Sequence, residues 1–134
     1  MSLKVPDAGE LTLLGYLRAQ LSGFAVLRLY VNDKVPADAD VTGSYTEASF
    51  PGYAPQTLSG FTPPATVSGA GQTQANAVTW TVNGPTGQQV YGYFVTDNVG
   101  NLLWAERDPS APIPMNATGN SYTVTARLSL STQF

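Results

Sequence analysis

The chain's main chemical resource is its nine carboxylates, Asp7, Glu10, Asp33, Asp38, Asp40, Glu47, Asp97, Glu106 and Asp108. Glycoside hydrolysis needs two such groups across a cleft. Glu47 and Glu106 are the best pair, because each lies in or near an extended segment with an aromatic neighbour, Tyr45 and Trp104. Nine acids offer a pair in almost any sequence, so a surface role beside Arg107 or Arg127 is the stronger reading. Asp33, Asp38 and Asp40 share one loop and carry the hard oxygen ligands that calcium takes. Their spacing matches no EF-hand loop: no glycine stands at the sharp turn and no glutamate closes it. A solvated loop with no metal is therefore expected. Trp80, Trp104 and the seven tyrosines are the material of a sugar-stacking platform. Trp80 sits at an alternating strand position, which is usually core, whereas Trp104 lies next to a hairpin. Tyr91 and Tyr93 share a strand face and are candidate interface residues, since tyrosine is enriched there.

What is missing narrows the chemistry further. The chain has no His and no Cys, which removes structural zinc, thiol nucleophiles, His-based triads, haem attachment and disulfides. A serine nucleophile would need a lysine base. Lys4 and Lys34 lie in an N-terminal arm and an acidic loop, and neither is poised for that task. No glycine array opens a helix to cradle phosphate. Asn116-Ala117-Thr118 matches the N-glycosylation pattern, at a length where chance matches are common. A net charge of −3 excludes a binder held by nucleic-acid phosphates. The apolar run from Phe24 to Val31 contains Arg28 and is far below the ~20 residues of a membrane helix. Residues 1–6 are too short and polar for a secretory signal. No enzyme, no cofactor, no nucleic acid and no membrane are expected.

The elements that position these residues read as follows. The chain has 134 residues, the length of one compact domain. Hydrophobic residues are 43% of it, enough for a core. Charged residues are 11%, far below the ~25% of an average soluble domain, which points to a surface that is polar-neutral or covered. Asp7 is placed to cap one helix, with Glu10 three residues on. Leu13, Leu17 and Leu21 recur at i+4, and Leu14 and Tyr16 widen the stripe. Ser22-Gly23 ends the helix. Strands are predicted over 24–31, 77–82, 89–96, 102–106 and 122–130, with short extended pieces at 45–50 and 56–61. Asp97 to Asn101 is a hairpin turn. The pattern predicts a mainly β fold, an antiparallel β-sandwich or jelly-roll-like barrel with one N-terminal helix. An arm and helix over 1–22 precede a β domain over 23–134, in one compact domain.

Several blocks carry a resemblance. They are Lys4 to Glu10 running into the Leu-rich helix, Leu27 to Asp33, Tyr45 to Ala48, Gly52-Tyr53, Val90 to Asp97, and Leu103 to Arg107. Together they resemble a group of small virion structural proteins of tailed bacteriophages and environmental viruses. The resemblance spans most of the chain and implies a capsid decoration (cement) protein that binds the outer head surface and stabilises the shell. It implies no catalytic residues. It implies the major capsid protein as partner, a virion location after synthesis in a bacterial cytoplasm, and a homo-oligomer, with a trimer favoured because shell symmetry offers three-fold positions. The expected grip is Leu3, Lys4 and Val5 in the arm and Leu13, Leu14, Leu17 and Leu21 on the helix, with Tyr91 and Tyr93 as further contacts. The alternatives are a carbohydrate- or receptor-binding β-sandwich module of a tail or fibre, and a small glycan hydrolase using Glu47 and Glu106.

Overall fold

A computed structural model of the chain describes residues 3–130. It is mainly β, as the periodicity predicts. One helix, α1 (Asp7–Leu21), precedes eleven strands: β1 (Val26–Tyr30), β2 (Gln56–Thr57), β3 (Ala65–Val67), β4 (Ala70–Gln74), β5 (Val78–Thr81), β6 (Gln89–Val90), β7 (Gly92–Thr96), β8 (Leu102–Arg107), β9 (Ile113–Pro114), β10 (Ser121–Val124) and β11 (Arg127–Leu130). All pairings are antiparallel. The sheets are short and open, so the barrel alternative falls: no closed barrel forms among the described residues. The chain divides into two units. One holds residues 3–23, 58–77 and 125–130, the other 24–57 and 78–124. This division does not follow the sequence boundary between residues 22 and 23.

In the first unit α1 lies on a three-stranded sheet ordered β11-β4-β3. The expected cap does not form. Asp7 is the first helical residue, and Pro6 stands at the N-cap in extended conformation with no side-chain cap bond. Its carbonyl accepts the Glu10 amide at 2.9 Å. The acids of the first turn and Arg18 in the last complement the helix dipole. Gly23, at φ +78°, ends the helix as expected. The close approach of helix to sheet is set at Gly71: a Cβ there would lie 3.0 Å from Leu14 Cδ1 and 3.3 Å from Glu10 Cβ. Leu14, Leu21 and Glu10 are consequently the buried helix positions. On the sheet, Gly71 and Thr73 are buried in alternation. Thr73 Oγ1 donates to the Thr62 carbonyl at 2.6 Å.

The second unit is built on a four-stranded sheet ordered β2-β1-β7-β8. β7 is buried at all five positions because β1 and β8 flank it and both faces are covered. On one face Tyr30 meets Tyr45 edge-on at 5.0 Å, and Tyr45 stacks on Phe94 at 5.3 Å. Leu27, Leu29 and Val95 are buried on the other. Trp80 is core, as its position on β5 predicts, and its indole N–H donates to the Ala54 carbonyl at 2.8 Å. Tyr53 stacks on it at 6.2 Å.

Two predicted strands break. The run 89–96 splits at Tyr91, with β6 pairing β9 and β7 pairing β1 and β8. The run 122–130 splits at Thr125, so that β10 pairs β5 and β11 pairs β4 in the other unit. The alternation expected there survives the break: Val124 and Ala126 are buried, and Leu128 and Leu130 are half-buried. The hairpin β3–β4 went unpredicted. Its turn uses Ser68 at φ +50° and Gly69 at φ +80°, both left-handed, the geometry of a two-residue hairpin loop.

Gly92 is the tightest point of the second unit. Its Cβ would stand 2.2 Å from the Glu106 carbonyl oxygen and 2.8 Å from the Tyr30 ring. Gly92→Ala is therefore expected to destabilise the fold by about 3 kcal/mol, read by urea unfolding. Gly87→Ala, where a Cβ meets nothing within 4 Å, should stay within about 0.5 kcal/mol of the parent.

Candidate functional site

The hairpin turn places the first carboxylate. Asp97 Oδ1 accepts the amides of Val99 at 3.0 Å and Asn101 at 2.9 Å, and Oδ2 accepts Asn101 Nδ2 at 2.8 Å. These donors, the Asn101 side chain foremost, hold the Asp97 carboxyl below its usual range. Thr96 pairs with Leu102 and Val95 with Trp104, so Leu103 is an extra residue in β8. That bulge shifts the register by one and puts Tyr93 opposite Glu106. The Tyr93 hydroxyl donates to Glu106 Oε1 at 2.8 Å.

The same pairing recurs through the unit. Tyr45 donates to Asp40 Oδ2 at 2.7 Å, Tyr53 to Glu47 Oε2 at 2.5 Å, and Tyr122 to Asp108 Oδ2 at 2.5 Å. Burial, then the carboxylate partner, raises the pKa of each of these three hydroxyls. Burial pushes Tyr30 up to about 12, and its hydroxyl donates to the Lys34 carbonyl at 3.0 Å. Sequence reasoning missed these pairs. The Tyr93–Glu106 pair had a signal in the hairpin, but reading it requires knowing the bulge.

The candidate dyad does not assemble. Glu47 bridges to Tyr30, which is in register with Gly92 and then Arg107. Glu106 is next to Arg107 in an extended strand, so it faces the opposite side of the sheet. Glu47 is held by Arg28 Nη1 at 3.1 and 3.2 Å to its two oxygens, besides Tyr53. Two aspartates of the 32–43 loop are held by different cations. Asp33 pairs with Arg107 at 2.7 Å and Asp40 with Lys34 at 2.7 Å. Among the described residues no group of three or more potential ligands gathers to hold a metal ion.

The predicted interface residues divide. Tyr93 is buried, at 5% exposure, and offers no surface. Its ring is internal because β7 is covered on both faces. Tyr91 is half-buried against the Tyr30, Tyr45 and Phe94 cluster, with the Arg107 guanidinium 5.3 Å from its ring centre. Leu14 and Leu21 point into the first unit and cannot serve as contacts there. Leu13, Tyr16 and Leu17 are exposed at 44%, 68% and 43% and form an i, i+3, i+4 stripe on the outer helix face. Leu3 and Lys4 are exposed, and Val5 is half-buried. The helix stripe carries no free charge: between Ala8 and Gln20 the charged side chains are Glu10, buried, and Arg18, whose Nη1 donates to the Phe61 carbonyl at 2.9 Å. Trp104 is half-buried, and its Nε1 is buried with no hydrogen-bond partner among the described residues.

Lys34 first, then Tyr45, hold the Asp40 carboxyl at about 2. Its unfolded value is ~3.9. A depressed carboxyl contributes stability that is fully present above the unfolded value and is lost as pH falls through the folded one. The melting temperature of the parent should therefore exceed that of Asp40→Asn at neutral pH. That gap should close between about pH 4 and pH 2, measured by thermal denaturation across the series. No protein-family model matches the chain, and no curated protein or solved structure matches it either.

Proposed function

We propose that this chain is a structural virion protein that binds the outer capsid surface and stabilises the head shell as a decoration or cement protein. The observation that carries the reading is the outer face of α1. Leu13, Tyr16 and Leu17 stand exposed there on a surface without free charge, the composition of an interface core. The family resemblance of the sequence blocks supplies the partner, the major capsid protein. The tyrosine-bound carboxylates add support, because a cement protein needs a rigid scaffold and no active site. A closed homo-oligomer on the shell, the trimer included, belongs to the same proposal. The carbohydrate-binding alternative asks for aromatic rings presented together on one face. It gains little from an arrangement in which Trp80, Tyr30, Tyr45 and Tyr93 are buried.

Deleting the helix would be a poor test, since it would also uncover Gly71, Thr73 and the rest of the buried sheet face. The double variant Leu13→Ser/Leu17→Ser changes only exposed side chains. It should keep the parent's circular dichroism and lose co-sedimentation with shells assembled from the major capsid protein. Binding of the double variant at the parent's level would overturn the assignment of this face as the grip. A parent chain that never sediments with shells would overturn the virion reading itself.

A further inference from the structure

The turn between β5 and β6 holds a second kind of chemistry. Among the asparagines of the chain, Asn83 alone is followed by glycine. The backbone nitrogen of a following residue can attack an asparagine side-chain carbonyl, and a glycine, lacking Cβ, hinders that attack least. The structure then separates Asn83 from its competitors. Asn32 is tied on both sides, donating to the Ser44 carbonyl and accepting the Thr46 amide. Asn101 donates to Asp97. Asn120 Oδ1 accepts the amides of Asn116 and Ala117, which also occupies the nitrogen that would attack Asn116. Asn76 packs its amide group where a Cβ of Gly60 would lie. Asn98 is exposed but precedes the β-branched Val99, whose side chain crowds the attacking nitrogen.

Asn83 is exposed, and its side chain makes no hydrogen bond among the described residues. Its own amide anchors the turn by donating to the Pro51 carbonyl at 3.0 Å. Its Cγ lies 3.4 Å from where Gly52, at φ +97°, would carry a Cβ, so a side chain at Gly52 would crowd it. We propose that Asn83-Gly84 is a site of spontaneous backbone-assisted deamidation.

The step balances without any enzyme or cofactor. The Gly84 nitrogen bonds to Asn83 Cγ and gives up its proton, while the C–N bond of the side-chain amide breaks and ammonia leaves. The resulting succinimide takes up one water. Opening at one carbonyl gives aspartate, and opening at the other gives isoaspartate, with one more carbon in the main chain. That extra atom enters beside the Asn83 to Pro51 hydrogen bond and the Pro51 ring, which sits 3.2 Å from the Cβ position of Gly84.

The test is incubation of the folded full-length chain at mildly alkaline pH, followed by peptide mapping by mass spectrometry and methyl labelling with an isoaspartate methyltransferase. The amide-to-acid mass change should appear first in the peptide containing Asn83, together with new methyl acceptance. Asn83→Gln should abolish both, because its ring closure is slower. Earlier conversion at any other asparagine would overturn the proposal. So would a folded chain that stays intact under conditions where the urea-unfolded chain converts, since the turn would then shield the site.

Discussion

The second unit depends on tyrosine hydroxyls buried against carboxylates. A buried phenol must find a hydrogen-bond partner, and a charged acceptor makes the stronger bond. Tyr45, Tyr53, Tyr93 and Tyr122 each find one, on Asp40, Glu47, Glu106 and Asp108. Tyr93–Glu106 reinforces the β7–β8 ladder, and each of the other three bonds has at least one partner outside the strands. Strands β2, β6 and β9 have two residues each and bring few ladder bonds. The tyrosine pairs supply part of the order that regular structure does not.

The same arrangement decides the chemistry. Both oxygens of Glu47 are taken by neighbours, Arg28 Nη1 on each and the Tyr53 hydroxyl on Oε2. General acid catalysis asks for a carboxyl within hydrogen-bond reach of the group it protonates. With Glu47 and Glu106 on opposite faces of one sheet, the pair that looked best in the sequence serves two separate structural bonds.

Periodicity made the backbone legible where one face was apolar. Val124, Ala126, Leu128 and Leu130 alternate through a break that places them in different sheets, because the period of two survives a change of partner. Periodicity failed over 65–74, where Gly71, Thr73 and Gln72 carry no apolar signal. The burial of that strand comes from the helix above it. The Tyr93–Glu106 pair was illegible for a different reason. One bulged residue, Leu103, decides which side chains face each other across the hairpin, and no composition rule announces a bulge.

Helix α1 shows how far packing can override pattern. Of the leucines expected as the grip, the helix turns Leu14 toward Gly71 beside the Glu10 stem, buries Leu21, and leaves Leu13 and Leu17 outside. A glycine on the sheet lets a helix come close only along the line above it, and the residues on that line are Glu10 and Leu14. Burying a leucine side chain is worth about 1.5–3 kcal/mol. Leaving two of them exposed, while a glutamate at 2% exposure occupies the inner face, forfeits that gain in the isolated chain. The loss is recovered wherever an apolar surface covers the outer face. Such a helix is better matched to an assembly than to a lone subunit, and the decoration reading we propose supplies that surface.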